Sequence, residues 1–231
     1  MVRTARMLAG GLVTLTTLVS CSAGPGPAER SAIERDPSGW EDLLASGLSG
    51  WHRVALPLGS RLSASDPWQL DASTGTLVCR AEGIIEILLT DRELSDGTFH
   101  VEWRVRKAGS KEYNGGVYVR TSPDGKIWHQ AQVAEKAERP VVGDLFGNTP
   151  VAGEAREVQV LSDLPFRARP AGEWNVYEIE CDGPRLSLWV NGATTATWTG
   201  IEVASGRLGL QAELHELEFR NVLWKPKGPR P

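Results

Sequence analysis

The sequence is poor in the residues that build metal and redox sites. It contains 3 cysteines and 4 histidines, the histidines are scattered, and no two cysteines have C-x-x-C spacing. A structural zinc site is therefore not expected. Helical periodicity is almost absent too, and only residues 40–45 indicate a short turn. Turn residues recur between short alternating runs, which favours an all-β class over helical and mixed folds.

The one long apolar stretch near the N-terminus is too short for a comfortable membrane span. It follows Arg3 and Arg6, and glycine and threonine interrupt it between Met7 and Val19, whereas a spanning helix needs about 20 apolar residues. Residues 1–20 are therefore predicted to be a signal peptide. The last residues before Cys21 read Leu-Val-Ser and resemble a bacterial lipoprotein box, so Cys21 is predicted to be the lipidated first mature residue. An ordinary secretory signal with a chance cysteine is the alternative.

This assignment predicts a protein held at the bacterial cell envelope, outside the cytoplasm, by a lipid anchor in the membrane. Residues 21–38 are rich in alanine, glycine, proline and charge, which predicts a flexible tether. Residues 39–225 form the predicted domain, and residues 226–231 a disordered tail.

The chain also lacks a basic excess. Its net charge is −4, and loss of Arg3 and Arg6 with the signal peptide would bring it from −4 to −6. Nucleic acid is therefore not expected as a partner, because phosphate binding needs a basic patch. A neutral or weakly polar ligand fits this charge better.

What the chain does have is strict alternation of apolar and polar residues in at least five runs. Such runs predict antiparallel strands with one face on a core, and their number predicts a two-sheet antiparallel β-sandwich. Cys79 and Cys181 both lie inside strand-like runs, and the sequence leaves their pairing open. The residues predicted to be buried are Phe99, Val101, Trp103, Val117, Val119, Ile179, Leu186, Leu188, Leu208, Leu210 and Phe219.

Four motifs follow one another in the C-terminal half: Gly-Glu-Trp-Asn at 172–175, Asn-Gly at 191–192, Leu-Gly-Leu-Gln-x-Glu at 208–213 and Glu-Phe-Arg-Asn-Val at 218–222. In this order they resemble the 3-keto-disaccharide hydrolase family, and Leu-Ser-Gly-Trp at 48–51 extends the resemblance upstream. The resemblance implies a concanavalin A-like jelly roll. It also implies a carbohydrate substrate, an oxidised glycoside, and no certain cofactor beyond a possible divalent metal.

The resemblance also indicates a binding groove on polar strand faces that would otherwise be interpreted as solvated surface. Strand parity and the resemblance together predict one continuous groove with Trp128 and His129 at its rim. The remaining substrate-binding candidates are Asn114, Gln130 and Gln211. The predicted groove residues are Glu102, Arg104, Tyr118, Arg120, Gln132 and Glu213.

A 3-keto sugar can be cleaved by elimination, because the ketone acidifies the proton on C2. Such a site needs a base, here Glu102 or Glu213, and a positive group or metal at the enolate oxygen, here Arg104 or Arg120. One position departs from the family, which commonly has glutamate where this chain has Gln130. An amide cannot act as a general acid or base. If that glutamate is catalytic in the family, this protein is inactive, or His129 or Glu213 has taken over its role.

Two other functions are compatible with the same fold. A non-catalytic carbohydrate-binding protein is the main alternative, and Gln130 favours it. A retaining β-glucanase would need two close carboxylates on one strand face. No Glu-x-Asp-x-x-Glu run provides them.

Overall fold

A computed structural model describes residues 28–80, 85–109, 112–135, 141–213 and 215–228 of the protein. The predicted signal peptide and Cys21 lie outside the described residues. Within them there is one short helix, α1 (Ala32–Arg35), and 15 strands. No helix in these ranges has the length and apolar character needed to cross a membrane.

The strands follow one another along the whole described chain. They are β1 (Glu41–Asp42), β2 (Trp51–Ala55), β3 (Trp68–Asp71), β4 (Thr76–Cys79), β5 (Glu86–Thr90), β6 (Gly97–Val105), β7 (Asn114–Thr121), β8 (Trp128–Gln132), β9 (Leu145–Val151), β10 (Glu154–Val160), β11 (Asn175–Asp182), β12 (Arg185–Val190), β13 (Ala193–Thr199), β14 (Arg207–Glu213) and β15 (Leu217–Pro226).

These strands form two antiparallel sheets. Sheet A has the order β13-β12-β11-β6-β15-β4-β3, with β1 added beside β15, and sheet B has the order β10-β9-β8-β7-β14-β5-β2. The predicted two-sheet jelly-roll sandwich is confirmed. About half of the strand pairs join strands that are not consecutive in the chain, such as β6 with β15 and β7 with β14, so pairing between distant segments holds each sheet together.

The core lies between the two sheets. All eleven residues predicted to be buried are at most 1% exposed. On β6, for example, Phe99, Val101 and Trp103 point inward, while His100 and Glu102 point to the other side of sheet A. Alternation along extended backbone produces this separation, since successive side chains leave a strand on opposite faces.

Both cysteines of the described residues are free. Cys79 lies on β4 and Cys181 on β11, and β15 and β6 separate these strands in sheet A. Burial raises the pKa of each thiol to about 12. Both groups therefore stay protonated and unreactive and act as small core side chains.

The prediction of a flexible tether up to residue 38 is wrong for residues 28–38, which pack on the outer face of sheet A. Ser31 caps helix α1, and the Glu34 carboxylate in turn accepts a hydrogen bond of 2.8 Å from the Ser31 N–H. The carboxylate of Glu178 on β11 accepts hydrogen bonds from the backbone N–H groups of Ala32 and Ile33. The composition of this segment is typical of linkers, but a buried carboxylate on the sheet supplies the partner that orders it.

Candidate functional site

A polar face is formed at the centre of sheet B, on the side turned away from the core. Strand β7 lies between β8 and β14 there, with Tyr118 opposite Gln130 on β8. On the other side of β7, Gly116 lies opposite Gln211 and Asn114 lies opposite Glu213. Pairing of these three strands therefore brings six of the sequence-predicted residues onto one surface: Asn114, Tyr118, Gln130, Gln132, Gln211 and Glu213.

Glu213 is the carboxylate of this face, and the amide of Asn114 holds it in place. Asn114 donates from Nδ2 to Oε2 of Glu213 at 2.8 Å, and its own Oδ1 accepts from Nε2 of Gln132 at 2.6 Å. The backbone N–H of Gly115 also donates to Oδ1 of Asn114, at 3.0 Å. These two donors fix which way the Asn114 amide points, so that its N–H group faces the carboxylate.

A second network lies in the middle of the face. The Tyr118 hydroxyl and Nε2 of Gln130 both donate to Oε1 of Gln211, each at 2.9 Å. All three side chains are at most 5% exposed. Gly116 makes this arrangement possible, since a Cβ there would lie 1.9 Å from Nε2 of Gln130. These groups form the floor of the site.

The floor is apolar toward β5 and aromatic toward β8. Ile87, Leu89 and Tyr118 form a small cluster outside the main core, and Trp128 packs against it, with its ring 5.8 Å from that of Tyr118. Burial, and then the charge of Glu213, raise the pKa of Tyr118 far above its ordinary value. Tyr118 therefore remains a neutral hydroxyl that donates a hydrogen bond.

Ile87 and Leu89 were not predicted as site residues. The sequence could have indicated them through the consecutive apolar residues Ile87, Leu88 and Leu89. A strand that is apolar at consecutive positions is expected to be buried on both faces. In this sandwich the second buried face of β5 belongs to the site.

Arg120 was predicted to share this surface, but it points into the sandwich. Strand β7 has one residue more than β14 between the pairs Thr121–Arg207 and Tyr118–Gly209, and Arg120 adopts a φ of 48° at this bulge. Its guanidinium is 1% exposed and pairs with Asp96 at 2.8 Å. The bulge reverses the direction that strand parity predicts, so Arg120 is a buried structural ion-pair residue.

His129 is not at the rim of the site. It lies on β8 between Trp128 and Gln130, and adjacent strand residues point to opposite faces. Its ring is fully buried, packs edge-on against Trp198 at 5.2 Å, and bonds through Nε2 to the Thr149 hydroxyl at 3.0 Å. Burial and then the nearby Arg120 charge lower its pKa to about 4. His129 is a neutral core residue.

Glu102 and Arg104 belong to the other sheet, so the prediction of one continuous groove is wrong for both. They lie on the outer face of sheet A, where Glu102 accepts from Arg220 at 2.8 Å and from Asn221 at 2.6 Å. Arg104 pairs with Glu218 and lies 4.5 Å from the centre of the Trp174 ring. These charges form a ladder on sheet A, with the core between them and Glu213.

The described residues contain no group of three histidine, cysteine, aspartate or glutamate side chains that could hold a metal ion. On the sheet B face, the Asn114 amide oxygen beside Glu213 already accepts two hydrogen bonds. The described residues of this face therefore do not fit a divalent metal.

Residues 39–225 match the family described as the 3-keto-alpha-glucoside-1,2-lyase-like domain. The chain belongs to this family. No curated protein matches it. The family domain thus begins directly after the ordered segment 28–38 and contains all 15 strands except the last residue of β15. Its central sheet B strands carry the polar face.

Solved structures with the same fold are distant in sequence. A glycosyl hydrolase candidate from Parabacteroides distasonis has 15% identity and a TM-score of 0.56, over 87% of this chain and 100% of its own. A carbohydrate-binding module from Bacillus subtilis has 18% identity and a TM-score of 0.53, over 75% and 93%. A β-glucanase from Bacillus licheniformis has 14% identity and a TM-score of 0.52, over 77% and 92%. At these identities the likeness concerns the fold alone.

Proposed function

We propose that this member of the 3-keto-alpha-glucoside-1,2-lyase-like family cleaves 3-keto-glycosides by β-elimination and hydration, on the outer face of sheet B. The observation that carries the proposal is Glu213. It is a carboxylate held by an amide beside an aromatic and amide-lined floor, on the one sheet face where most predicted site residues meet. Sugars bind to such surfaces through aromatic faces and amide hydrogen bonds.

Glu213 is the base in this mechanism. It removes the proton from C2 of the sugar, and the electron pair of that bond forms the C2–C3 double bond of an enolate. The enolate then expels the C1 oxygen and leaves a C1–C2 enone, and the leaving oxygen takes up a proton. Water adds across the enone and completes net hydrolysis.

A neutral donor stabilises the enolate oxygen here. Arg120 and Arg104 point elsewhere, so the developing charge meets the second N–H of the Gln132 amide, whose first N–H is bonded to Asn114. Preorganised neutral donors of this kind act in many oxyanion sites. The raised pKa of Tyr118 keeps its proton in the hydrogen bond to Gln211, which holds the floor of the site in place.

The test is incubation of the purified protein with 3-keto-glucosides, with and without divalent metal, with products read by mass and enone absorbance. Glu213→Gln should reduce turnover by about 10²-fold or more, the usual scale for a lost general base. Glu102→Gln is the matched control, because it removes a carboxylate from the other sheet. Equal activity of both variants and the wild type would contradict the assignment of Glu213.

Gln130 supports a second function, non-catalytic carbohydrate binding at the same face. Its amide is buried in the Tyr118–Gln211 network, at a position where the family resemblance implies a carboxylate. Under this alternative, the protein binds sugars without turnover, and Glu213→Gln weakens binding only modestly. Saturable binding of a 3-keto-glucoside with no product would favour it.

We further propose that the protein is a lipoprotein of the bacterial cell envelope with Cys21 as its lipidated residue. The support is the sequence before Cys21, and it is independent of the proposed reaction.

A further inference from the structure

Exposed apolar side chains are concentrated in one short segment between β10 and β11. Six large apolar side chains of the described residues are exposed, and three of them lie within residues 161–166. They are Leu161, Leu164 and Phe166, with 51%, 38% and 43% of their surface accessible. Such a concentration marks an interaction surface, whereas single exposed leucines are ordinary. We call residues 161–166 the apolar segment.

The apolar segment is fixed to the turn between β12 and β13. Arg167, the next residue, donates from its guanidinium to the backbone oxygens of Val190 at 3.2 Å and Asn191 at 2.9 Å. Asn191 returns a hydrogen bond of 2.8 Å to the Arg167 oxygen. Within the segment, the Asp163 N–H donates to the Thr195 oxygen at 3.2 Å. The exposed side chains are therefore presented by an ordered loop.

The N-terminal segment joins the domain at the same turn. The Glu29 N–H donates to the Gly192 oxygen at 2.7 Å, and the Glu29 carboxylate accepts from the N–H and hydroxyl of Thr194. A Cβ at Gly192 would lie 3.3 Å both from Ala28 and from the Arg167 guanidinium. Ala28 and the apolar segment thus share one edge of the sandwich.

The length of chain before Ala28 limits how far this edge can move from a membrane. Ala28 is the seventh residue after Cys21, and a fully extended chain over those seven steps reaches about 25 Å. A lipid on Cys21 would therefore keep the turn at Gly192, and the apolar segment beside it, close to the bilayer surface.

We propose that the apolar segment docks on the lipid bilayer, with Leu161, Leu164 and Phe166 entering the headgroup and acyl boundary. Leucine and phenylalanine are typical of such interfacial contacts. The segment lies at the edge of the sandwich formed by β10 and β13. Docking through this edge therefore orients the planes of both sheets roughly perpendicular to the membrane. The polar face of sheet B then opens sideways to solvent. This proposal rests on lipidation of Cys21 and does not depend on the reaction proposed above.

The chain itself permits a clean labelling test. Cys79 and Cys181 are at most 2% exposed, and burial raises both thiol pKa values, so a cysteine introduced at the surface is labelled selectively. Leu164→Cys places a polarity-sensitive fluorophore in the apolar segment. Leu58→Cys is the matched control, because Leu58 is 41% exposed and follows β2, the strand at the opposite edge of sheet B.

Both variants are prepared as full-length lipidated protein and reconstituted in vesicles of phosphatidylethanolamine and phosphatidylglycerol, with and without brominated acyl chains. The label at position 164 should shift its emission to the blue on reconstitution and lose most of its fluorescence with brominated lipid. The label at position 58 should do neither. Equal responses at the two positions would overturn the proposal, and so would a chain that carries no lipid on Cys21.

Discussion

The amide of Asn114 donates a hydrogen bond of 2.8 Å to the carboxylate of Glu213 across the β7–β14 pair. The same relationship exists on the other sheet, where Asn221 donates to Glu102 at 2.6 Å. One pair lies on the proposed catalytic face and the other on the charged outer face of sheet A, so the second pair provides a control for the first.

Asn114→Asp should move the acid limb of the pH–rate profile to higher pH. A second carboxylate beside Glu213 raises the pKa of the pair, so the base form is lost at a higher pH, by about 1 unit or more. The measurement is kcat/KM as a function of pH. Asn221→Asp should leave the profile unchanged. A shift caused by Asn221→Asp as well would point to general charge effects instead.

Gly116→Ala should damage the site by displacing the Gln130 amide, since a Cβ would lie 1.9 Å from Nε2 of Gln130. We expect kcat/KM to fall by about 10- to 100-fold, the scale of a small misplacement of site groups. A double-mutant cycle with Gln130→Ala checks the cause. If the displaced amide explains the loss, Gly116→Ala costs little in the Gln130→Ala background. Additive losses would refute this explanation.

His129 should make the protein less stable in acid. Its folded-state pKa is lowered from 6.5 to about 4, first by burial and then by Arg120. Above pH 6.5 the ring is neutral in both the folded and the unfolded state, and its contribution to stability is complete. As the pH falls toward 4, the unfolded state takes up the proton first, which lowers the free energy of unfolding by about 3 kcal/mol.

The measurement for His129 is urea unfolding of the wild type and of His129→Gln between pH 7 and pH 4, a range that covers both pKa values. The variant lacks the titrating ring, so the wild type should lose about 3 kcal/mol more than the variant. Parallel loss in the two proteins would assign the acid sensitivity to other groups.

Glu178→Ala should detach the N-terminal segment. The Glu178 carboxylate is 4% exposed and accepts from His100 at 2.9 Å as well as from the first turn of helix α1. Burial raises its pKa, but the hydrogen bonds from His100, Ala32 and Ile33 outweigh that effect and lower it overall. Its removal leaves those donors without a partner, so we expect a loss of about 2–4 kcal/mol in unfolding free energy.

Glu180→Ala is the matched variant for Glu178, two residues further along β11, with a side chain that is 44% exposed. It should change stability by no more than about 0.5 kcal/mol. Proteolysis near residue 28 should become faster in Glu178→Ala alone. Similar proteolysis of both variants would argue against Glu178 as the residue that holds this segment.

Cys21→Ser should release the protein from the membrane fraction or leave the precursor uncleaved, because serine cannot carry the thioether-linked lipid. Fractionation of cells followed by intact-mass measurement distinguishes these two results. Unchanged membrane association of a normally cleaved variant would contradict the lipoprotein assignment.

The sequence by itself determined which side chains face the core of most strands. Val101, Val119 and Leu210 are buried as predicted, because alternation along an extended backbone is a local property that each strand carries alone. The resemblance carried by the family motifs predicted the jelly-roll fold. They also indicated the strands that carry Tyr118, Gln130, Gln211 and Glu213.

Tertiary structure alone decided which of the outward-facing residues meet. Alternation places both Glu102 and Glu213 on the side of their strands that faces away from the core, yet the two strands belong to different sheets. Sheet membership depends on pairing between strands far apart in sequence. A single extra residue in β7 turned Arg120 inward. The Glu178 carboxylate ordered residues 28–38, which composition alone suggested were a tether. In each case the deciding contact joins residues distant along the chain, and local patterns contain no information about such contacts.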